Sequence, residues 1–375
     1  MGIKVCHITS VHQPGDARIF VKECQSLAKY GYDVYFVYAA SESVTEVVDG
    51  VTKIAVRRAG NGRFNRFVKD TKNVVEAAKN TGARVFHFHD PELIPHAVKL
   101  HKQGNIVFYD AHEDLPLQIL SKHYIPSIIR RPIAYMTSLL ERWMARNCSA
   151  IVAATPSIHN KFQSIGANCI TVHNFPRVDE LLIDITSKPK HDFAACYVGG
   201  IMATRGIYQI TDAMAELDCD LHLCGSFSPS SLRNEVVGKP GWKKIIEHGF
   251  LNRKQVADVY RKCDVGIVTL LPSPNYIDAY PVKMFEYMAA GLAVIASNFP
   301  LYKSIVEENK CGICVDPTDP VAIKNAIRFL SDNPDLCLEY GINGQKMVMS
   351  KYNWNAEAEQ LYHLYKSEIS KAKIE

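Results

Sequence analysis

The stretch Asp278-Ala-Tyr-Pro-Val-Lys-Met-Phe-Glu286-Tyr-Met-Ala-Ala-Gly291-Leu-Ala-Val-Ile-Ala-Ser297 packs a proline turn, a short helical run and a buried strand into one segment. It follows the apolar run Asp264–Leu270, bends at Pro281, turns helical from about Val282 and stops at Gly291 before the run Leu292–Ala296. Strand, helix and strand in that order describe one βαβ unit of a parallel sheet. The helix then starts at the carboxyl end of a strand, where free backbone N–H groups and the positive end of the dipole suit a phosphate. Lys283 adds a cation. Asp278 in the loop and Glu286 a turn into the helix can lie on one side of a bound anion, placed for hydroxyls of a sugar and of a ribose. A solvated acidic loop followed by a helix carboxylate fits the same residues, and their chemistry alone leaves both readings open.

Outward from this segment the same alternation fills the chain. Strands are expected at Ile3–Thr9, Asp33–Ala39, Val51–Arg57, Arg84–Phe88, Ile106–Asp110, Ala150–Ala154 and Cys169–His173. A second set is expected at Phe193–Val198, Asp220–Cys224, Lys244–His248, Asp264–Leu270 and Leu292–Ala296. Thr155-Pro156 and Asp319-Pro320 read as N-caps followed by proline at the first helical position. The alternation lapses between His173 and Ala194, where turn-rich residues flank one amphipathic stretch. The expected organisation is therefore two α/β, doubly wound Rossmann-like domains facing a central cleft. Residues 1–175 form the first, 176–192 the linker and 193–352 the second, and a helix at 353–375 packs back on the first. Sheets of this kind bind ligands at the carboxyl ends of their strands, so the sites belong in the loops there.

The 375 residues are 47% hydrophobic and 22% charged, as in a folded globular protein, which excludes disorder and collagen-like repeats. The net charge of +4 is unevenly placed: residues 1–175 carry 21 Lys+Arg against 14 Asp+Glu. No secretory signal or bilayer-spanning run is expected, and eleven cysteines, mostly in apolar runs, suit a reducing, cytoplasmic setting. Cys311-Gly-Ile-Cys314 has the spacing of half a zinc or redox site, but without a second pair it reads as the edge of a strand.

The block from Asp278 to Ser297 resembles the C-terminal signature of glycosyltransferase family 4, a retaining family of GT-B fold, with two acids separated by seven intervening residues before a Met-Ala-x-Gly-x-x-Val run. This chain departs from it in carrying Asp278 where the family usually has Glu. The resemblance implies that Asp278 meets the donor sugar, that Glu286 holds the ribose, and that the Val282 and Lys283 N–H groups meet the diphosphate. Tyr197-Val-Gly199-Gly200-Ile-Met-Ala-Thr-Arg205-Gly206 is similar to the family's diphosphate motif of two cations, with Gly200 replacing the first and Arg205 filling the second. Lys283 is expected to compensate. In the family the loop His7 to Glu23 approaches the donor phosphate and the acceptor, so Gly15 is expected at the donor and Asp16 and Arg18 at the acceptor.

His87, His89, Asp90, Asp110, His112, Glu113 and Asp114 gather after two consecutive strands. Read naively they are a candidate metal site, with His87 and His89 on one side of their strand and Phe86 and Phe88 on the other. The resemblance implies a metal-free use: His112 beside the donor sugar and acceptor, and His89, Glu113 and Asp114 in acceptor recognition. Asp218-Cys-Asp220 has the Asp-x-Asp form of metal-dependent transferases but sits at the wrong end of its strand. Neither a metal nor a cofactor is expected. Catalysis is expected to rest on His112, Asp278, Arg205 and Lys283.

Arg57, Arg58, Arg63, Arg66, Lys69 and Lys72 with Phe64 and Phe67, and the stretch Lys122 to Tyr135, mix cations with apolar groups as at an anionic membrane surface. A nucleic-acid partner would ask for a more basic domain. Together these readings describe a peripheral enzyme on the inner face of the plasma membrane. It would move a sugar from a nucleotide-sugar donor to a lipid-linked glycan acceptor in bacterial surface-polysaccharide (capsule or O-antigen) synthesis. A nucleotide-sugar epimerase of the same fold and a catalytically silent sugar-nucleotide-binding partner are the alternatives.

Overall fold

Short, continuous β-branched and aromatic runs become strands buried on both faces once helices cover them. The computed structural model describes residues 2–373 except 61, 63–64, 122–124 and 186–190; Arg63, Phe64 and Lys122 to Tyr124 of the basic stretches, and part of the expected linker, lie outside the described residues. The chain divides into unit 1, residues 1–174 and 355–375, and unit 2, residues 175–354.

Unit 1 is built on an eight-stranded sheet: β1 (Lys4–Thr9), β2 (Asp33–Ala40), β3 (Val44–Val48), β4 (Val51–Arg57), β5 (Val85–Phe88), β6 (Ile106–Ala111), β7 (Ala150–Ala153) and β8 (Cys169–Thr171). The spatial order is β3-β4-β2-β1-β5-β6-β7-β8. Every neighbouring pair is parallel except β3 with β4. β3 was not anticipated because its side chains are almost all exposed and show no buried alternation. Its one signal is the hairpin turn Asp49-Gly50, both at positive φ. Thr155 accepts the Ile158 N–H and starts a helix with Pro156 in its first turn, as the sequence predicts.

Unit 2 has six parallel strands, β9 (Ala194–Val198), β10 (Asp220–Cys224), β11 (Ile245–Gly249), β12 (Val265–Val268), β13 (Ala293–Ser297) and β14 (Gly312–Val315), in the order β11-β10-β9-β12-β13-β14. Much of the segment expected as linker belongs to this unit instead. Leu181 and Ile183 are buried in its core, because their apolar surface is larger than a solvated linker tolerates, and Phe175, expected to end the first domain, is buried with them. Cys311 is buried beside β14 and Cys314 lies within it, and burial pushes both thiols up to about 12. All eleven cysteines are free.

The helix Trp354–Ala372 begins at the last residue of unit 2 and continues in unit 1. There Leu361, Leu364 and Tyr365 are buried, and Glu357 accepts from the His173 N–H at 2.7 Å. Among the described residues no helix is long and apolar enough to cross a membrane.

Candidate functional site

In unit 2 the strand order reverses between β9 and β12, the point at which open α/β sheets bind ligands. β9 runs out into Gly199-Gly200, and the chain after β12 leads to the helix Val282–Ala289. Pro281 gives that helix no side-chain cap, so its first N–H groups, those of Val282 and Lys283, are left for a ligand. The Lys283 ammonium is withdrawn from solvent with no acceptor in reach, 3.8 Å from the centroid of the Tyr197 ring.

Two glycines make room for the cations. A Cβ on Gly199, whose φ is +132°, would sit 3.4 Å from Lys283 Nζ and 3.9 Å from Arg205 Nη1. One on Gly200 would sit 3.3 Å from the same Nη1, which donates to the Gly200 carbonyl at 3.3 Å. Position 200, where a cation was expected to be missing, is thus the floor on which Arg205 rests. Burial and the neighbouring Arg205 charge push the Lys283 ammonium well below the usual lysine range, with Glu286 acting the other way. A buried ammonium without an acceptor, beside a guanidinium and an uncapped helix N-terminus, has the chemistry of an anion site.

Glu286 lies one turn into this helix and is 9% exposed. Arg253 Nη1 reaches its Oε1 at 2.6 Å and the Tyr260 hydroxyl donates to Oε2 at 3.3 Å. Sequence reasoning missed these two partners, because the helix Arg253–Tyr260 carries only a capping box, Asn252 with Gln255, and meets Glu286 through the fold. Asp278 is exposed at the end of the short helix Pro274–Ile277. Asp218 and Asp220 are exposed at the amino end of β10, away from all of these groups in the same sheet.

In unit 1 the order reverses between β1 and β5, and the residues that follow β1, β5 and β6 converge. Asp90 Oδ2 accepts from the Thr9 hydroxyl at 2.8 Å and the Ser10 N–H at 2.6 Å, tying the end of β5 to the loop after β1. Asp16 caps the helix that begins at Ala17, accepting the Arg18 and Ile19 N–H groups at 2.9 Å, and pairs with His12 Nδ1 at 3.0 Å. Burial alone would raise the Asp16 carboxyl; the His12 bond and the Ile19 N–H outweigh it and hold the group well below the usual carboxylate range. The same bond to Asp16, against burial, raises His12. The His12 and His112 rings are 5.4 Å apart. His112 Nε2 lies 3.2 Å from Asp110 Oδ2, yet burial lowers this imidazole to about 3, so the ring is neutral.

Two expected acceptor residues are placed differently. Arg18 is 3% exposed and its donors are engaged within the fold: Nε and Nη2 hold the Asp110 carboxylate at 2.9 and 2.8 Å, and Nη1 donates to the Val172 carbonyl at 2.9 Å. His89 is 2% exposed, with Nδ1 3.2 Å from Asp110 Oδ2 and Nε2 3.0 Å from His7 Nδ1. Both hold other groups in position. Asp114 accepts the Leu117 N–H at 3.1 Å and lies 3.0 Å from Lys161 Nζ. Glu113 is exposed and bonded to Gln118. Gly15 is exposed, and a Cβ there would meet nothing within 4 Å. His12 was not among the expected site residues, although it stands four positions before Asp16 on the same turn, and Asp90 was read only as part of the naive metal cluster.

Comparison with known proteins follows this division. Residues 15–177 match the model of Glycosyltransferase Family 4 and residues 178–347 that of Glycosyl transferases group 1. A phosphatidyl-myo-inositol mannosyltransferase of Mycobacterium leprae is 22% identical over 245 residues, 63% of either chain. The aligned parts span 44% to 63% of the curated relatives at the head of the comparison. Among solved structures, sucrose-phosphate synthase from Thermosynechococcus elongatus superposes with a TM-score of 0.82 at 19% identity, over 98% of this chain and 100% of that one. Anabaena HepE in complex with UDP-glucose superposes at 0.72 and 12% identity, over 97% of this chain and 100% of that one. With two adjoining family models that together match residues 15–347, the chain belongs to the group 1, family 4 glycosyltransferases of GT-B fold.

Proposed function

We propose that this chain transfers a sugar, with retention of configuration, from a nucleotide-sugar held by unit 2 to a hydroxyl of a lipid-linked glycan presented to unit 1. The observation that carries the reading is the buried Lys283 ammonium, without a hydrogen-bond acceptor, beside Arg205 at the open start of the helix Val282–Ala289. A donor diphosphate satisfies it: the two cations and the Val282 and Lys283 N–H groups neutralise the charge that grows as the sugar–oxygen bond breaks. No step in this scheme calls on a metal. The acceptor oxygen bonds to the sugar carbon on the face the diphosphate leaves, and the hydroxyl proton departs with the diphosphate. Asp278 meets the donor sugar and Glu286 the ribose, which shares or displaces Arg253. Neutral His112 hydrogen-bonds the acceptor hydroxyl without adding charge, while Asp16, Glu113 and Asp114 border the acceptor and Gly15 lets the loop approach the donor. UDP-glucose bound by HepE supports a nucleotide-sugar donor.

The acceptor's lipid and the membrane belong to the same proposal. The helix Ser127–Ala145 exposes Ile128, Ile129, Ile133, Tyr135, Met136 and Trp143 together with Arg131 and Arg142, an apolar face among cations. Phe67 and Val68 are about half exposed near Lys69 and Lys72. Both surfaces suit the anionic inner face of a plasma membrane, and surface-polysaccharide synthesis is the setting proposed. The test is a panel of nucleotide-sugars screened for binding, then for diphosphate release with a lipid-linked acceptor. Turnover that disappears in Lys283→Ala and Arg205→Ala is expected; full turnover in both removes the site. Release of a free epimerised donor without acceptor would replace transfer by epimerisation.

A further inference from the structure

Behind the candidate acceptor residues, unit 1 encloses a second constellation that the transfer scheme does not use. His7 on β1 and His87 on β5 are register partners of adjacent parallel strands, so they leave the same face of the sheet, and His89 follows two residues later on that face. Glu23, from the helical turn Ala17–Cys24, comes down on the three rings. All four side chains are fully buried. His7 Nδ1 and His89 Nε2 are 3.0 Å apart, and Glu23 Oε2 lies 3.7, 3.8 and 3.9 Å from His7 Nδ1, His87 Nδ1 and His89 Nε2. Four donors held tetrahedrally at about 2.0–2.1 Å from a zinc ion are roughly 3.3–3.4 Å from one another. Four of the six edges of the cage are thus within about half an ångström of those of a zinc tetrahedron, one shorter and three longer, and all four donors lie within 4.8 Å of one another.

Two further observations point to a cation rather than to a hydrogen-bonded histidine cluster. Glu23 Oε1 is ion-paired with Arg18 Nε at 3.1 Å, but Oε2, which faces the three imidazoles, has no hydrogen-bond partner, and a buried acceptor left unsatisfied is costly. His89 Nδ1 faces Asp110 Oδ2 at 3.2 Å, and Asp110 is itself gripped by Arg18, which directs His89 Nε2 into the cage. A carboxylate behind a ligand histidine is the usual way a metal-binding ring is oriented.

We propose that His7 Nδ1, His87 Nδ1, His89 Nε2 and Glu23 Oε2 form a structural zinc site. With four protein ligands the site is closed, as structural zinc sites are, and it has no part in the sugar transfer. It would fasten β1 and β5 to the helix that carries Asp16 and Arg18. Tyr365 of the C-terminal helix lies over it, its hydroxyl 2.7 Å from His87 Nδ1 and 3.4 Å from His7 Nε2. Zinc exchanges the first of these bonds for coordination at the same nitrogen and leaves the hydroxyl the second. Imidazole donors suit zinc, copper, iron and nickel, and a closed four-coordinate cage is the geometry that favours zinc among them.

The test uses the full chain, expressed in zinc-supplemented medium and purified without chelators or an affinity histidine tag. Elemental analysis is expected to give about one zinc per chain, and cobalt added after zinc removal to give the visible bands of a tetrahedral ion. Glu23→Gln, which keeps the shape of the side chain, is expected to weaken zinc by at least about 100-fold, since second-shell losses alone cost 10–100-fold. His363→Ala, at an exposed histidine, is expected to leave the content unchanged. Chain with no zinc as purified and no cobalt bands on titration overturns the proposal, and so does full zinc retention in Glu23→Gln and His87→Ala. Wild-type metal content decides the question even if a variant fails to fold, and nucleotide-sugar binding on the same samples keeps it separate from the transfer reading.

Discussion

The two candidate sites lie at the same place in their sheets, the carboxyl ends of strands flanking a reversal of order, yet they are finished differently. In unit 1 the charged groups find partners within the fold: Arg18 with Asp110, Asp16 with His12, Asp90 with Thr9 and Ser10. In unit 2 a lysine ammonium is buried without an acceptor and a helix N-terminus is left uncapped. A surface whose charges are already satisfied can present hydroxyls and shape to a neutral sugar. A surface left short of negative charge is less stable by itself and is completed by an anion. The contrast predicts opposite effects of removing a cation from each.

The largest effect is expected in unit 1. Arg18→Ala leaves Asp110 and Glu23 buried without the guanidinium that balances their charge, and loss of one partner of a buried pair costs about 3–5 kcal/mol. Denaturant unfolding is expected to show that loss, with unit 2 still able to bind nucleotide. In unit 2 the sign reverses. Lys283→Ala is expected to stabilise the unliganded protein by about 1–3 kcal/mol, the cost of a buried group without a partner, while turnover falls about 10²–10³-fold. Linkage agrees: the folded Lys283 titrates below its unfolded value, so the unfolded chain holds more protons between the two, and this residue's contribution to stability rises with pH there. A Lys283→Ala chain that is both less stable and fully active ends the comparison.

Much of the fold was legible, because βαβ units write themselves into one sequence as alternating short apolar runs and capped helices. Val51–Arg57 and Asp220–Cys224 have the predicted bounds, and Thr155 and Asp319 cap the helices they precede. β3 escaped because an exposed edge strand has no buried face to betray it. The sites were legible by halves. Arg205, Lys283 and Glu286 announce themselves by their place at helix starts, whereas Arg253, Tyr260 and Tyr365 meet their partners only through the fold. The histidine cluster shows the limit most clearly. Alternation puts His87 and His89 on one face of a strand, but the donors that close the cage, His7 and Glu23, come from elements whose approach no spacing encodes.

A smaller, pH-dependent effect separates the sites further. His12 is raised and Asp16 lowered by their mutual bond. The His12 share of that stability is fully present below its unfolded value of about 6.5 and is lost as pH rises through the folded one. The Asp16 share is present above about 3.9 and is lost as pH falls toward its lower folded value. Wild type is therefore expected to exceed His12→Gln by about 1 kcal/mol between these limits, with the gap closing at alkaline and at strongly acid pH. A gap that stays constant from acid to alkaline conditions would show that the pair does not couple.

The finest test sets two glycines against each other. Gly199 has φ +132°, and a Cβ there would press on the Lys283 ammonium at 3.4 Å. Gly199→Ala is therefore expected to cost about 1–3 kcal/mol of stability through backbone strain and to disturb the anion site as well. Gly15 has neither constraint: its surroundings within the chain are open and the backbone does not demand glycine. Gly15→Ala is expected to change stability by less than about 0.5 kcal/mol. If the missing side chain serves a bound donor, the same substitution raises the donor KM while thermal unfolding stays where it was. Unchanged kinetics in Gly15→Ala would remove this loop from the donor and leave the anion site to unit 2 alone.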